Sequence, residues 1–338
     1  MNDNSLFKNI DGVTYTSDMR TLVVCSHERK GKIVIPEGVE VIKESAFSDC
    51  HIRSVVMPDS LKKIEKWAFI YCHELECVDF GKGITKIGIH GVIDNNTFMR
   101  CNNLKHVVIP SQVKVIERGV FSHSGLESIT LQEGLEAIHC NVFTYCKDLK
   151  SIRLPESLNI LDSQDDNHIS YIEMKTVPNH FVDSILSNYF GSERVQTINL
   201  NGMRIFVPSI MTEKDKVSLG RILQQGNFTD DFICRTYRFA SRNDIRRSEI
   251  ICMTYNEALK NGNSYIISEL RNKVTEVSEM MVRYFLEKDR VEDAIMVINF
   301  GLMSKHRILS LMEKVKNPVV RACLLENIPD AGASVFII

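Results

Sequence analysis

The 338-residue sequence has only one tryptophan and eight prolines, and it has no excess of charge of either sign. Lysine and arginine together number 41 and aspartate and glutamate 43, which gives a formal net charge of −2 at pH 7. This balance creates no general attraction to polyanions. We therefore expect neither nucleic acid nor a membrane surface as a partner.

Long hydrophobic runs are also missing. No stretch reaches the roughly 18 consecutive apolar residues that suggest a membrane-spanning helix. The first residues, Met1 to Phe7, lack the basic start and apolar run that are typical of a secretory signal. We expect a cytoplasmic protein, and the alternative is a secreted or cell-surface protein whose signal peptide has been removed.

The common catalytic and ligand-binding motifs do not occur. The sequence has no Cys-x-x-Cys, no His-Glu-x-x-His, no Gly-x-x-x-x-Gly-Lys and no Gly-x-Ser-x-Gly. Two Cys-His pairs lie one repeat apart, at Cys50 and Cys72, but adjacent residues point in different directions and cannot converge on one ion. We therefore expect no enzyme, no cofactor and no metal site.

Cysteine, by contrast, is plentiful, with ten residues. Four of them belong to a short motif that occurs five times, in which phenylalanine is followed three residues later by cysteine or, once, by serine. The copies recur about every 22 or 23 residues, which is typical of a solenoid. Because equivalent residues of a solenoid share one core, we expect these cysteines to be reduced, buried and structural. The copies begin at Phe47, Phe69, Phe98, Phe121 and Phe143.

Each repeat unit also contains a short apolar–polar alternation that ends at proline or another turn residue. This pattern predicts a strand with one buried face, and stacked units would place these strands in one parallel sheet. One unit is longer, with its extra residues within 88–96. That insertion is either a loop on a binding face or a tolerated bulge.

The full pattern is Cys-x-x-Leu-x-x-Ile-x-Leu-Pro-x-x-Leu-x-x-Ile-x-x-x-Ala-Phe. It resembles the BspA-type leucine-rich repeat over residues 36–161, and residues 11–23 resemble the hairpin cap that often precedes such repeats. The resemblance implies a curved solenoid from a bacterium or protist, used for surface adhesion or protein binding. It does not imply an enzyme.

The fold class expected is α+β, a leucine-rich-repeat solenoid with a parallel sheet followed by an all-helical C-terminal domain built as a stack of helix pairs. The period becomes helical from Thr212, and Asn263, Thr275 and Ser304 are candidate helix starts. The Asn201-Gly202 pair predicts a tight hairpin turn. The expected divisions are 1–35 (cap hairpin), 36–165 (repeats), 166–210 (C-terminal cap with helix and hairpin) and 211–338 (helical domain).

Partner specificity would depend on side chains that point outward from the strands. These form columns along the concave sheet, and the columns are small and mixed in chemistry. The neighbouring column Arg53, Glu76, Lys105, Glu127 and Lys150 alternates in sign and would pair with itself. The candidate partner surface is Ser54, Val56, Asp79, His106, Val108, Thr130 and Arg153.

A basic patch is the sharpest local charge feature of the second half. Tyr237 and Phe239 are interleaved with its arginines, so the patch could bind an acidic peptide or a phosphate. Alternatively, it is a solvated face whose arginines pair with acids such as Asp231, Asp244 and Glu249. The patch is Arg235, Arg238, Arg242, Arg246 and Arg247.

These observations predict a non-catalytic protein–protein interaction module of a bacterial protein, such as one from a gut commensal, with an unknown protein partner. The alternative is a secreted or cell-surface adhesin. An enzyme with a site at the junction of the two halves is the third and least favoured hypothesis. The apolar C-terminal segment 335–338 would either dock on this chain or serve as a ligand for a partner.

Overall fold

The computed structural model describes residues 6–93, 95–186, 195–226, 228–240 and 244–329. The chain divides into two compact units. The first comprises Met1–Met203 and Thr212–Gln225, and the second comprises Arg204–Met211 and Gly226–Ile338. Arg242 of the basic patch and the C-terminal segment 335–338 lie outside the described residues.

Most strands of the chain are short, as the alternation in each repeat predicts. In chain order they are β1 (Phe7–Ile10), β2 (Val13–Thr16), β3 (Thr21–Cys25), β4 (Gly31–Val34), β5 (Val41–Ile42), β6 (Ile52–Val56), β7 (Lys63–Ile64), β8 (Cys77–Asp79), β9 (Lys86–Ile87), β10 (His106–Ile109), β11 (Val115–Ile116), β12 (Ser128–Leu131), β13 (Ala137–Ile138), β14 (Ser151–Arg153), β15 (Ile160–Leu161), β16 (Tyr171–Met174), β17 (Val195–Leu200) and β18 (Met203–Pro208).

Each repeat contributes one strand to each of two faces of the solenoid. Strands β4, β6, β8, β10, β12, β14, β16 and β17 line one face, which we call the front sheet. Its parallel pairings join β4, β6 and β8, then β10 and β12, and then β14, β16 and β17. The shorter strands β5, β7, β9, β11, β13 and β15 line the second face, which we call the back sheet. There β5 pairs with β7, and β9, β11, β13 and β15 pair in sequence, all in parallel. The predicted parallel-sheet solenoid is confirmed.

The predicted cap hairpin is present at the start of the solenoid. Strands β1, β2 and β3 are antiparallel, and β3 then pairs in parallel with β5 of the back sheet. Asp11 and Gly12 join β1 to β2, and both have positive φ, at 49° and 79°. This conformation matches the twist of the flanking strands, which is why Asp-Gly is favoured in two-residue turns.

The repeated phenylalanines form one buried column, as predicted. Phe47, Phe69, Phe98, Phe121 and Phe143 are all fully buried. The first four are stacked with ring centroids 4.7, 5.0 and 5.5 Å apart and interplanar angles of 6°, 11° and 14°. Nearly parallel rings at these distances add to the stabilisation from apolar burial.

The repeated cysteines form a second buried column beside the phenylalanines. The thiols of Cys72, Cys101 and Cys146 donate hydrogen bonds to phenylalanine carbonyl oxygens of the preceding repeat, at 2.9, 3.2 and 3.1 Å, and that of Cys50 donates to the Cys25 carbonyl at 3.6 Å. Ser124 occupies the same position in the fourth unit and is also buried. These cysteines therefore pack and hydrogen-bond as free thiols.

The second half of the chain is mainly helical. Its helices are α1 (Glu213–Gln225), α2 (Asp230–Arg235), α3 (Asp244–Asn261), α4 (Ser264–Glu287), α5 (Val291–Ile298), α6 (Lys305–Lys314) and α7 (Pro318–Glu326). Helix α1 groups with the solenoid unit and the others with the second unit. The α+β architecture, a solenoid followed by a helical region, is thus as predicted.

Within the described residues, none of these helices is both long and apolar enough to cross a bilayer.

Helix starts in the second unit agree in part with the sequence analysis. Asn263 and Ser304 cap α4 and α6, each accepting a hydrogen bond from a backbone amide of the first turn. The predicted start at Thr275 is wrong, because α4 runs unbroken through it. The Thr275 hydroxyl instead donates to the carbonyl of Arg271 at 2.8 Å, which a threonine inside a helix can do.

Candidate functional site

The predicted partner surface lies on the outward side of the front sheet. Strand register places Ser54 beside Cys77 and Val56 beside Asp79, and it places His106 beside Ser128 and Val108 beside Thr130. Within these strand pairs the candidate residues thus form two columns, one with Ser54 and His106 and the other with Val56, Asp79, Val108 and Thr130. Ser54 and Val56 are half-buried, whereas Asp79, His106, Val108, Thr130 and Arg153 are exposed.

Both columns continue beyond the repeats that the sequence pattern identified. On one side, Lys32 and Val34 of β4 pair with Ser54 and Val56. On the other side, β14, β16 and β17 place Tyr171 and Thr197 in line with Ser151, and Glu173 and Asn199 in line with Arg153. Sequence reasoning missed Lys32 and Val34 because they precede the first repeat at residue 36, and it missed the residues of β16 and β17 because the leucine-rich consensus fades after Leu161. The alternation in 171–174 and 195–200 was the signal that could have identified them.

Polar side chains of neighbouring strands contact one another across this surface. His106 Nδ1 lies 2.8 Å from Ser128 Oγ, and the Arg153 and Glu173 side chains form an ion pair at 3.5 Å. The apolar side chains on this surface remain open to solvent, since Val34 and Val108 are 61% and 50% exposed. The partner surface thus combines polar side chains that are held in place by contacts with one another and apolar side chains that are exposed to solvent.

A cavity of about 370 Å³ lies where β14, β16 and β17 end. Arg153 and Glu173 form part of its wall together with Lys175 and Glu156, which are paired at 2.7 Å. Charges of both signs therefore line the cavity. This suits a polar segment of a protein better than an apolar small molecule.

An exposed column of a different kind follows one edge of the repeats; we call it the edge column. Its members immediately precede the repeated cysteine or its equivalent, and all have φ between 49° and 62°. Tyr71 and Tyr145 are each 40% exposed, and the rings of His123 and Tyr145 lie 4.5 Å apart. Burial, together with the charge of Arg100, lowers the pKa of His123. The column is Asp49, Tyr71, Arg100, His123, Tyr145 and Asp166.

All four described members of the basic patch contact acidic or aromatic side chains. Arg235 pairs with Asp231, Arg247 with Asp244 at 3.3 Å, and Arg246 with the buried Glu249. Arg238 lies over the ring of Tyr237. An acidic ligand would have to compete with these carboxylates, and the basic patch as a binding site stays a prediction.

The insertion, residues 88–96, begins directly after strand β9 of the back sheet. It therefore lies beside the back sheet and not on the candidate partner surface of the front sheet. Asn95, near the end of the insertion, is fully buried. The Asn95 side chain accepts a hydrogen bond from the amide of Ile89 at 2.6 Å and donates to the carbonyls of Ile89 and Val92. These bonds fix the conformation of the loop itself, and the Asn95 carbonyl oxygen accepts a hydrogen bond from Trp67 N at 2.8 Å, which ties the loop to the preceding repeat.

Metal-binding side chains meet beside this loop. His90, Glu117 and His139 each offer a ligand atom, and the three atoms lie within 4.8 Å of one another. The Cys-His pairs of the sequence analysis are arranged differently, because Cys50 and Cys72 are buried whereas the histidines that follow them are exposed.

Comparison with protein families identifies a match to the BspA-type leucine-rich repeat region, with six copies spanning residues 25–90 and 91–209. Comparison with curated protein sequences finds no match.

Crystal structures of several bacterial leucine-rich repeat proteins are similar to parts of the chain. One from Bacteroides capillosus is 25% identical, with 38% of this chain and 99% of that chain covered and a TM-score of 0.32. One from Eubacterium ventriosum is 19% identical, covering 50% and 51%, with a TM-score of 0.40. A leucine-rich cell surface protein from Faecalibacterium prausnitzii is 20% identical, covering 61% and 62%, with a TM-score of 0.37. The chain thus spans about half to three fifths of the last two proteins.

Proposed function

Because the chain belongs to the BspA-type leucine-rich repeat family, we propose that it is a non-catalytic module that binds a protein partner through the outward side of the front sheet. The observation that supports this most strongly is the strand register, which aligns exposed side chains of successive repeats. An open, regular surface of this kind suits a macromolecule, whereas small molecules are usually enclosed in pockets.

The chemistry of the partner surface supports specific contacts. Val34 and Val108 offer apolar area that a partner would remove from water, at about 25 cal/mol for each Å² of apolar surface buried. His106 and Thr130 offer hydrogen-bonding groups beside Val108. Asp79 and Arg153 add charges that would fix the orientation of the partner more than its affinity.

The cysteine chemistry bears on where the protein acts. Cys72 and its equivalents donate hydrogen bonds as thiols inside the solenoid core, and a disulfide would remove those donors. Buried reduced thiols are normal in the cytosol, whereas disulfides persist mainly in oxidising compartments. We infer a cytoplasmic protein of a bacterium. Cell fractionation tests this inference, and recovery of the native protein only from the cell surface or medium would favour the adhesin instead.

Site-specific photo-crosslinking tests the interaction surface. A photo-reactive amino acid replaces Val108 of the front sheet or, as a matched control, Ile160 of the back sheet. Both are β-branched strand residues with similar exposure, 50% and 46%. In cells of the source bacterium, we expect a discrete crosslinked protein from position 108 and none from position 160.

A third position separates the two exposed surfaces of the repeats. Replacing Tyr145 places the same photo-reactive group on the edge column. A product at 145 or 160 but not at 108 would contradict the proposed surface, even if the protein has a partner. If none of the three positions yields a product, the interaction function itself loses its support.

A further inference from the structure

We propose that His90, Glu117 and His139 bind one divalent transition-metal ion, and that Zn²⁺ is the ion their chemistry fits best. Two imidazoles and a carboxylate are ligands that Zn²⁺ accepts, and water can then occupy a fourth position. The site lies on the back sheet, so the proposal is independent of partner binding at the front sheet.

The repeat itself places two of the ligands side by side. Ile87, Ile116 and Ile138 are paired in register in the back sheet. Glu117 and His139 are the residues that directly follow the last two, so they occupy the same position in consecutive repeats. Backbone bonds of 2.9 Å continue the pairing beyond the strands, from Glu117 N to the carbonyl of Ile87 and from His139 N to that of Ile116.

The insertion supplies the third ligand. Gly88 occupies the position equivalent to Glu117, with φ at +93°, and a Cβ atom built there would lie 2.7 Å from the Glu117 Cβ. Only glycine therefore lets the loop pass this close to Glu117. Two residues later, His90 Nδ1 comes to 3.4 Å from Glu117 Oε1. Tetrahedral zinc with bonds of about 2.0–2.1 Å brings its ligand atoms to roughly 3.3 Å from one another.

Glu117 is the unusual group in the cluster. The residue is 3% exposed, and its buried Oε1 atom has no hydrogen-bond partner among the described residues, although His90 Nδ1 and Lys86 Nζ lie 3.4 and 3.7 Å from it. An unsatisfied buried carboxylate oxygen costs free energy, and the cost is larger for a charged group than for a neutral one. A bound cation would remove this cost, which provides a second, independent reason to infer a ligand at this position.

His139 is oriented as a ligand by its other neighbour. Its Nδ1 lies 2.7 Å from Asp162 Oδ2, and Asp162 follows Leu161 at the same repeat position as Glu117 and His139. With the proton on Nδ1 donated to Asp162, Nε2 keeps its lone pair for a metal. Carboxylate–histidine pairs of this kind are the usual outer support of metal-bound histidines.

The surroundings of the three residues have space for a further metal ligand, and they contain one cationic side chain, Lys86, that competes with a metal ion for Glu117. A cavity of about 230 Å³ adjoins the three residues, with Arg118 and Cys140 also in its wall. Lys86 Nζ lies 3.7 Å from Glu117 Oε1, where its charge partly neutralises the carboxylate. Because the Lys86 side chain is 42% exposed, it can swing into solvent when a metal ion enters. Removing this lysine should therefore strengthen metal binding.

Zinc titration of the full chain against a chromophoric chelator tests the proposal. Cys77 is the exposed thiol, so every variant carries Cys77→Ser to remove an unrelated metal ligand. We expect one equivalent of Zn²⁺ per chain, with affinity weakened at least about tenfold by His90→Ala, which alters an exposed side chain, and by His139→Ala. Asp162→Asn should weaken binding by about 10–100-fold, the usual effect of losing an outer-shell partner.

A matched control and a gain-of-affinity variant sharpen the test. His51 is also exposed and lies 3.0 Å from a carboxylate, that of Glu74, but no group of three metal-binding side chains includes it among the described residues. His51→Ala should leave zinc affinity unchanged, whereas Lys86→Met should raise it. The absorption spectrum of bound Co²⁺ should change with His90→Ala and not with His51→Ala. Absence of saturable zinc binding, or binding that survives the double substitution His90→Ala/His139→Ala, would overturn the proposal.

Discussion

The thiol of Cys72 donates a hydrogen bond to the carbonyl oxygen of Phe47, one repeat earlier in the chain, at 2.9 Å. The same bond links Cys101 to Phe69 and Cys146 to Phe121. The Phe-x-x-Cys motif therefore does two things at once. Its phenylalanine fills the core, and its cysteine ties each repeat to the one before it.

This relationship predicts that serine replaces Cys72 better than alanine does. Cys72→Ala removes the donor, which we expect to cost about 1 kcal/mol, because the Phe47 carbonyl still accepts a bond from Cys50 N at 3.1 Å. Cys72→Ser keeps a hydroxyl donor at this position. Urea unfolding measures both, and an alanine variant at least as stable as the serine variant would contradict the role of the bond.

The phenylalanine column predicts a larger effect in its middle. Phe98 is stacked between Phe69 and Phe121 and also meets Phe80 edge-on with centroids 6.0 Å apart. We expect Phe98→Ala to cost about 3–5 kcal/mol of unfolding free energy, because the truncation leaves a cavity. The exposed Thr130→Ala serves as the control and should change stability by less than about 0.5 kcal/mol. Similar losses for the two variants would mean that the column is not the core.

Thiol reactivity should follow the burial of the cysteines. Cys77 is exposed and Cys140 half-buried, whereas the other eight are buried. Burial also raises the pKa of Cys72 to about 12 and that of Cys146 to about 11, which keeps them as unreactive thiols at neutral pH. We expect a thiol reagent to label native protein fast at Cys77, more slowly at Cys140 and elsewhere only after denaturation. Fast labelling of Cys72 or Cys101, read by mass spectrometry, would show the repeat register to be wrong.

The second unit contains a buried charge that predicts a stability effect of its own. Glu249 is 2% exposed and pairs with both Arg246 and Arg290, whose guanidinium also lies over the Phe285 ring. Glu249→Gln removes the carboxylate that joins Arg246 to Arg290, whereas Arg290 keeps its ion pair with Asp293 at 2.6 Å. We therefore expect a loss of about 3 kcal/mol, the lower end of the range for breaking a buried ion pair.

The control for that variant is Asp231→Asn, which removes an exposed carboxylate paired with Arg235. Its loss should stay below about 1 kcal/mol, because exposed pairs contribute little. Thermal unfolding of the full chain compares the two. Equal shifts in melting temperature would show that the buried network contributes no more than a surface pair.

The parts of the fold that could be predicted from the sequence are those in which apolar and polar residues alternate or recur with a regular period. The front-sheet columns followed from alternation, because residues two apart on a strand point to the same side. The continuation through Tyr171 and Glu173 was missed because only the strand alternation, without the leucine consensus, persists there. The break expected at Thr275 failed because a threonine hydroxyl can bond either a first-turn amide or the carbonyl four residues back.

The proposed metal site at His90, Glu117 and His139 could be predicted only in part from the repeat period. Glu117, His139 and Asp162 follow Ile116, Ile138 and Leu161, so their alignment was readable from the repeat. His90 lies in the insertion, where no repeat position applies, and its approach depends on the positive φ of Gly88. Only the folded loop brings the third ligand to the other two.

The most direct test of the proposed interaction surface is the affinity of the partner recovered by crosslinking at position 108. Calorimetric titration compares the unmodified chain with Val108→Asp on the front sheet and Ile160→Asp on the back sheet. We expect Val108→Asp to weaken binding about tenfold or more, because a charge replaces a central apolar contact, and Ile160→Asp to leave it unchanged. Equal affinity for all three chains would contradict the account.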